Sequence, residues 1–161
     1  MTPCSDAQQC VQLQEVSILA ALLVSRDTLL GHRMVFMDDV LYQKIRVALE
    51  RSWSAETGVC FSPDADPSYG QCAQTAIVVQ ETFGGEILLT TGWHGCGNHF
   101  YNRINGQRID FTADQFKMPG YSYPLTYEDR ISSKAEAEKE TLSGQVEALW
   151  RAFRRAFFAV A

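Results

Sequence analysis

The sequence predicts an α+β fold: a cysteine-bearing helix packed on a small antiparallel sheet, with flanking helices completing the core. Three observations predict it. An apolar helix pattern opens at Cys72, a hairpin pattern follows around Asn105-Gly106, and helical apolar stripes lie on either side of both. A helix and a sheet that are each apolar on one side bury those sides against each other.

The elements follow in order. Asp38 and Asp39 give an acidic helix start, and Leu41, Ile45, Ala48, Leu49 and Trp53 then recur at helical spacing. Residues 58–70, with two prolines and two glycines, read as a loop. A helix is expected from Gln71 to Phe83 with the stripe Cys72, Ala76, Val79 and Phe83, ended by Gly84-Gly85. Glu86 to Thr91 reads as a strand and Gly92 to Asn98, with three glycines, as a second loop.

Phe100 to Ile104 and Gln107 to Thr112 flank Asn105-Gly106, the dipeptide most suited to a two-residue hairpin turn. That turn sets Ile104 opposite Gln107, Tyr101 opposite Asp110 and His99 opposite Thr112. Side chains alternate between faces, so His99, Tyr101, Asp110 and Thr112 share one face. His99 and Asp110 become diagonal neighbours, roughly 7 Å apart at the backbone. Phe100, Ile104, Ile109 and Phe111 take the other face as a core layer. Residues 117–131 read as a Tyr- and Pro-rich loop. One C-terminal helix is expected from Ser133 to Val160, buried along Leu142, Val146, Leu149, Trp150, Phe153 and Phe157.

The chain has 161 residues, 46% of them hydrophobic, enough for one ordinary domain with a core. A net charge of −5 argues against a nucleic-acid or anionic-membrane surface, and Arg151, Arg154 and Arg155 read as a solvated helix face. Five cysteines at positions 4, 10, 60, 72 and 96 form no disulfide spacing, which fits the reducing cytoplasm. The apolar run Val16 to Val24 is too short to span a bilayer, and Met1 to Glu15 lacks the basic residues of a signal peptide. Residues 1–36 read as an N-terminal extension, either an accessory helix or a mis-assigned gene start ahead of Met37, with the second preferred. Residues 37–161 read as a single domain.

Cys72, His99 and Asp110 lie in the order nucleophile, base, orienting acid. Taken singly, each is an ordinary structural residue; their joint placement is what points to chemistry. The thiolate is the reactive form of cysteine, and a helix N-terminus and a nearby imidazolium both favour it. Asp110 would orient the ring of His99. Gln71 and Asn98 are candidate oxyanion donors beside the backbone N–H groups around Cys72. Trp93, His94 and Tyr101 are candidates for a substrate rim. A lesser reading places zinc on Cys72, His94, Cys96 and His99, with Cys60 as an alternative ligand, although no Cys-x₂-Cys pair is present. The preferred reading has no metal and no cofactor. There is no phosphate-binding loop, and nothing in the spacing of Glu86 and Asp110 supports a glycosidase pair.

The run Gly70-Gln71-Cys72-Ala73-Gln74-Thr75, continued through Leu88, resembles a signature of the YunG-like family of bacterial proteins. The later run His99-Phe100-Tyr101-Asn102-Arg103-Ile104-Asn105-Gly106, continued through Phe116, is similar to its second signature. Ala48, Leu49 and Ser52-Trp53-Ser54 match the family's start, so the resemblance covers Met37 to Phe116. It implies a compact bacterial domain and supplies no activity. More distantly, the order Cys-helix, His-strand, Asp-strand is similar to the papain-like and transglutaminase-like superfamily. That resemblance implies a papain-like core in which Cys72 attacks the carbonyl of an amide, peptide or thioester. The chain departs from it in having no oxyanion glutamine well upstream of Cys72 and no further domain to build a deep cleft. Those departures count against a protease more than against small-amide chemistry, and the expected partner is a small amide or peptide substrate. The alternative from another class is a non-catalytic binding domain on the same scaffold.

Overall fold

A computed structural model describes residues 37–61, 64–91, 97–117 and 125–159. The chain divides between Phe36 and Met37, and every residue described belongs to the second unit. Its elements are α1 (Asp39–Glu50), α2 (Cys72–Phe83), β1 (Glu86–Thr90), β2 (His99–Ile104), β3 (Gln107–Ile109), a 3₁₀ turn (Ala113–Lys117), β4 (Arg130–Ser132), α3 (Lys134–Glu138) and α4 (Gln145–Ala159). The fold is α+β, with an antiparallel sheet ordered β3-β2-β1-β4.

Local chemistry accounts for most element ends. Asp38 caps α1 by accepting from the N–H of Leu41 at 2.7 Å. Gly84 closes α2, its N–H reaching the Gln80 carbonyl at 2.8 Å. Asn105 and Gly106 both have positive φ, the backbone that a right-twisted two-residue hairpin needs. The resulting pairing sets Ile104 opposite Gln107 and Asn102 opposite Ile109, the register read from the sequence. The ladder stops at Ile109, before Asp110.

Helix α2 is more central than its single apolar stripe suggested. Gln74, Thr75, Ile77 and Val78 are buried as well as Ala76, Val79 and Phe83. One side of α2 meets the sheet, and α3 and α4 pack on it too, so little of its circumference is left for water. Ala73, Ala76 and Ile77 form a cluster with Ile87 and Leu89 of β1, Phe100 of β2 and Ala137 of α3. Each fully buried Ile, Leu or Phe there stabilises the fold by about 1.5–3 kcal/mol. Asn102 lies on the same face of β2 as Phe100, and its side-chain amide donates to the Ala76 carbonyl at 2.9 Å, fastening helix to sheet. The opposite face of the sheet carries Leu88 paired with Tyr101 and Thr90 paired with His99.

Two expectations need correction. The C-terminal helix is broken: α3 ends at Glu138 and α4 begins at Gln145. Gly144 sits at φ +84°, and the Gln145 side chain accepts the N–H of Leu142 at 2.9 Å, so the intervening turn has its own hydrogen bonding. Leu142, expected in the buried stripe, is 62% exposed, whereas Leu149, Phe153 and Phe157 are buried as read. The second correction is β4, which begins inside the stretch read as loop and pairs with β1 through Leu88 and Ile131. Arg-Ile-Ser is too short to show a period, and its pairing is visible only in space.

Candidate active site

The start of α2 meets the start of β2. Cys72 is the first helical residue, and its Sγ lies 3.9 Å from the carbonyl oxygen of Asn98, the residue before His99. Among the described residues no side chain caps this helix end, which leaves the N–H groups of its first turn without a side-chain acceptor there. Gln71 occupies the cap position with a fully buried side chain. Its amide nitrogen donates to the Ser54 carbonyl at 3.1 Å and its oxygen accepts from the Thr57 hydroxyl at 3.0 Å. The carboxamide is thus committed to the loop after α1; what it positions is the backbone leading into Cys72.

His99 and Asp110 form a buried pair, with Nε2 2.7 Å from Oδ2. Asp110 is heavily supplied with donors. The Tyr127 hydroxyl donates to Oδ2 at 2.8 Å, and Thr112 donates to Oδ1 through its N–H at 2.9 Å and its hydroxyl at 3.1 Å. Burial works against the carboxylate, but His99, Tyr127 and Thr112 outweigh it and hold the Asp110 carboxyl below its ordinary range. Burial likewise works against a charged imidazole. The bond to Asp110 and the nearby Cys72 sulfur overcome it and push His99 up to about 9. Tyr127 is driven upward by burial and by the Asp110 charge, so it stays a neutral donor.

The second ring nitrogen is the informative one. His99 Nδ1 is buried and has no hydrogen-bond partner among the described residues. Its ring is oriented by Asp110 on the other side and packed edge-on by Phe116, centroids 4.6 Å apart, and against Tyr101 at 5.7 Å. The ring therefore has one nitrogen fixed to a carboxylate and one without a geometric hydrogen bond, on a ring that also feels the Cys72 sulfur. Phe116 and Gln115 ride on the 3₁₀ turn, which Asp114 fastens to Arg46 of α1.

A cleft of about 190 Å³ opens here, lined by Cys72, His99, Asn98, Gln115, Phe116 and Glu140 among others. Asn98, a candidate oxyanion donor, does line it, and its side-chain amide donates to Glu140 at 2.9 Å. Tyr101 does not reach the rim. It is 1% exposed, its hydroxyl shared with Thr90 at 3.2 Å and accepting from the Asp129 N–H at 2.8 Å. Strand alternation had put Tyr101 beside His99, which holds, but Tyr127 packs over it at 4.9 Å and closes that face. Trp93, His94 and Cys96 lie outside the described residues. Among the described residues no three His, Cys, Asp or Glu side chains converge on a metal position, and no helix is long and apolar enough to cross a membrane.

Sequence reading missed Tyr127, Phe116, Gln115 and Glu140. The first lies in a stretch with no periodicity, and only its aromatic character in a loop hinted at a role. Glu140 fell within the stretch read as one C-terminal helix and lies in the turn between α3 and α4.

Comparison with known proteins agrees with the sequence signatures. A family model described as YunG protein matches residues 41–157. A curated relative from Bacillus subtilis (strain 168), "Uncharacterized protein YunG", is 37% identical over 116 residues, covering 70% of this chain and 91% of the relative. No solved structure matches the chain significantly.

Proposed function

The chain belongs to the YunG family, and for it we propose a thiol-dependent acyl hydrolase or acyl transferase, acting on a small amide, peptide or thioester on a papain-like scaffold. The observation that carries this reading is the His99 ring, bound at Nε2 to buried Asp110 and unpartnered at Nδ1, with Cys72 beside it at an uncapped helix start.

The chemistry follows from those positions. Cys72 reacts as its thiolate, paired with the His99 imidazolium. Sγ bonds to the substrate carbonyl carbon, and the carbonyl electrons move onto oxygen, where the first-turn N–H groups stabilise them. Nδ1 gives its proton to the leaving nitrogen or sulfur as that bond breaks, leaving an acyl thioester on Cys72. Water, or an amine, then attacks this thioester and returns a proton to Nδ1. Sγ departs as thiolate and the site is restored. Asp110 stays ionised throughout, orienting the ring and stabilising its charge. Water as acceptor makes the protein a hydrolase; an amine makes it a transferase. The thiol needs a reducing compartment, so the reading carries a cytoplasmic location.

The test is the pH–rate profile of iodoacetamide labelling, resolved by site with mass spectrometry, the other four cysteines serving as internal references. Rapid labelling of Cys72 alone at pH 6, where an ordinary thiol is slow, is expected. An ordinary profile at Cys72 overturns the reading in favour of a binding domain. Protection of Cys72 until a chelator is added overturns it in favour of metal.

A further inference from the structure

The carboxylate of Glu140 is set apart from the salt-bridged acidic side chains of the fold by its place at the cleft. Asp114, Glu86, Asp129, Glu136, Glu81 and Glu138 all sit in salt bridges. Among the described residues Glu140 has no cationic partner. Its recorded contact is the neutral side-chain amide of Asn98, which fixes the carboxylate at the cleft without cancelling its charge. That amide belongs to the residue whose carbonyl faces Cys72 Sγ, so Glu140 is joined through the Asn98 side chain to the residue that borders the reacting sulfur. Among the described residues no Lys or Arg lines the cleft, and apart from His99 and the cysteines its titratable lining there is Glu140 and Tyr69. The space, about 190 Å³, is below the range for drug-sized ligands, so a molecule that reaches Cys72 also comes close to Glu140.

From this juxtaposition we infer that the cleft selects acyl substrates carrying an ammonium or guanidinium group, with Glu140 as the specificity residue that receives the cation. This rests on the acyl-transfer reading and adds a substrate class to it. An ammonium close to the reacting carbonyl would supply the counter-charge that the fold withholds from Glu140. A substrate carboxylate in the same small space would meet repulsion instead.

The test uses the full chain and three alkylating probes of different charge: iodoacetate, iodoacetamide, and the trimethylammonioethyl amide of iodoacetic acid. Site-resolved rates at Cys72 are taken as ratios to the iodoacetamide rate of the same variant, because the His99 charge itself favours the anionic probe. Comparison between variants removes that contribution. In Glu140→Gln the ratio of cationic to anionic labelling at Cys72 should fall about fivefold, the scale of one partly screened ion pair. In Glu140→Lys it should fall further. Glu140 is exposed, so both variants should fold, which circular dichroism checks. A ratio that does not move in either variant overturns the cation selectivity while leaving the nucleophile reading intact. Failure of Cys72 to label preferentially with neutral iodoacetamide in the unaltered protein overturns the nucleophile reading itself, and the substrate class falls with it.

Discussion

Replacing Asp110 by Asn keeps the shape of the side chain and removes its charge, and the structure sets what should follow. In the native protein the carboxylate and the Cys72 sulfur overcome burial and raise His99 from 6.5 to about 9. A shift of that size is worth roughly 3 kcal/mol of preference for the charged ring. The ring is almost fully buried, so solvent screens little of it. Because the folded value lies above the unfolded one, this stabilisation is complete below about pH 6.5. It declines as pH rises and is lost once pH passes through about 9. The Asp110 carboxyl shifts the other way, so its own contribution holds at neutral pH and is lost on acidification through its depressed folded value. In Asp110→Asn the larger raising contribution is gone while burial and the Cys72 sulfur remain, so the value of the ring should fall well below about 9. Urea denaturation should therefore show the variant less stable by at most about 3 kcal/mol at pH 6, with the gap narrowing by pH 10, where the Tyr127 and Thr112 bonds still favour the carboxylate. Imidazole NMR gives the site-specific value directly: the sequence has three histidines, and the His99 signal is the one missing in His99→Gln. A gap between native and variant that is equal at pH 6 and pH 10, or a native His99 that titrates at 6.5 or below, would refute the ion-pair reasoning.

Other changes probe the same architecture. Cys72→Ser should abolish labelling and turnover yet shift Tm by no more than about 3 °C, since Cys72 is only partly buried; a fall of 10 °C would make it a packing residue instead. Tyr127→Phe removes one donor to Asp110 at 2.8 Å and should cost about 2 kcal/mol. Asp110 should then protonate more readily, so acid unfolding should begin at a higher pH, and an unchanged acid midpoint would leave Tyr127 without a role at the carboxylate. Gly85→Ala places a methyl group 2.3 Å from the Arg103 carbonyl oxygen at a backbone φ of +84°. It should cost about 3 kcal/mol in urea denaturation without altering the labelling profile of Cys72; a cost under 1 kcal/mol would show that β1 and β2 can part there freely.

What the sequence determined by itself is local. The acidic helix start at Asp38 and Asp39, the helix opening at Cys72 and the Asn105-Gly106 turn each depend on residues within a few positions, and each forms as read. The hairpin register extends that reach, because a two-residue turn and the alternation of a strand are enough to bring His99 and Asp110 together from 11 residues apart. Tertiary structure decided the rest. Cys72 and His99 meet because α2 packs across the sheet, which no local pattern encodes. Tyr127 reaches Asp110, and Tyr101 leaves the rim, because β4 takes an edge position beside β1 and carries the preceding segment over that face. The C-terminal stripe read as one helix because apolar spacing persists across the break, while the Gly144 turn and the Leu142–Gln145 bond cost little to form at the surface. That break is what sets Glu140 at the cleft. A local pattern fixes which side chains point the same way; only long-range packing fixes what they point at.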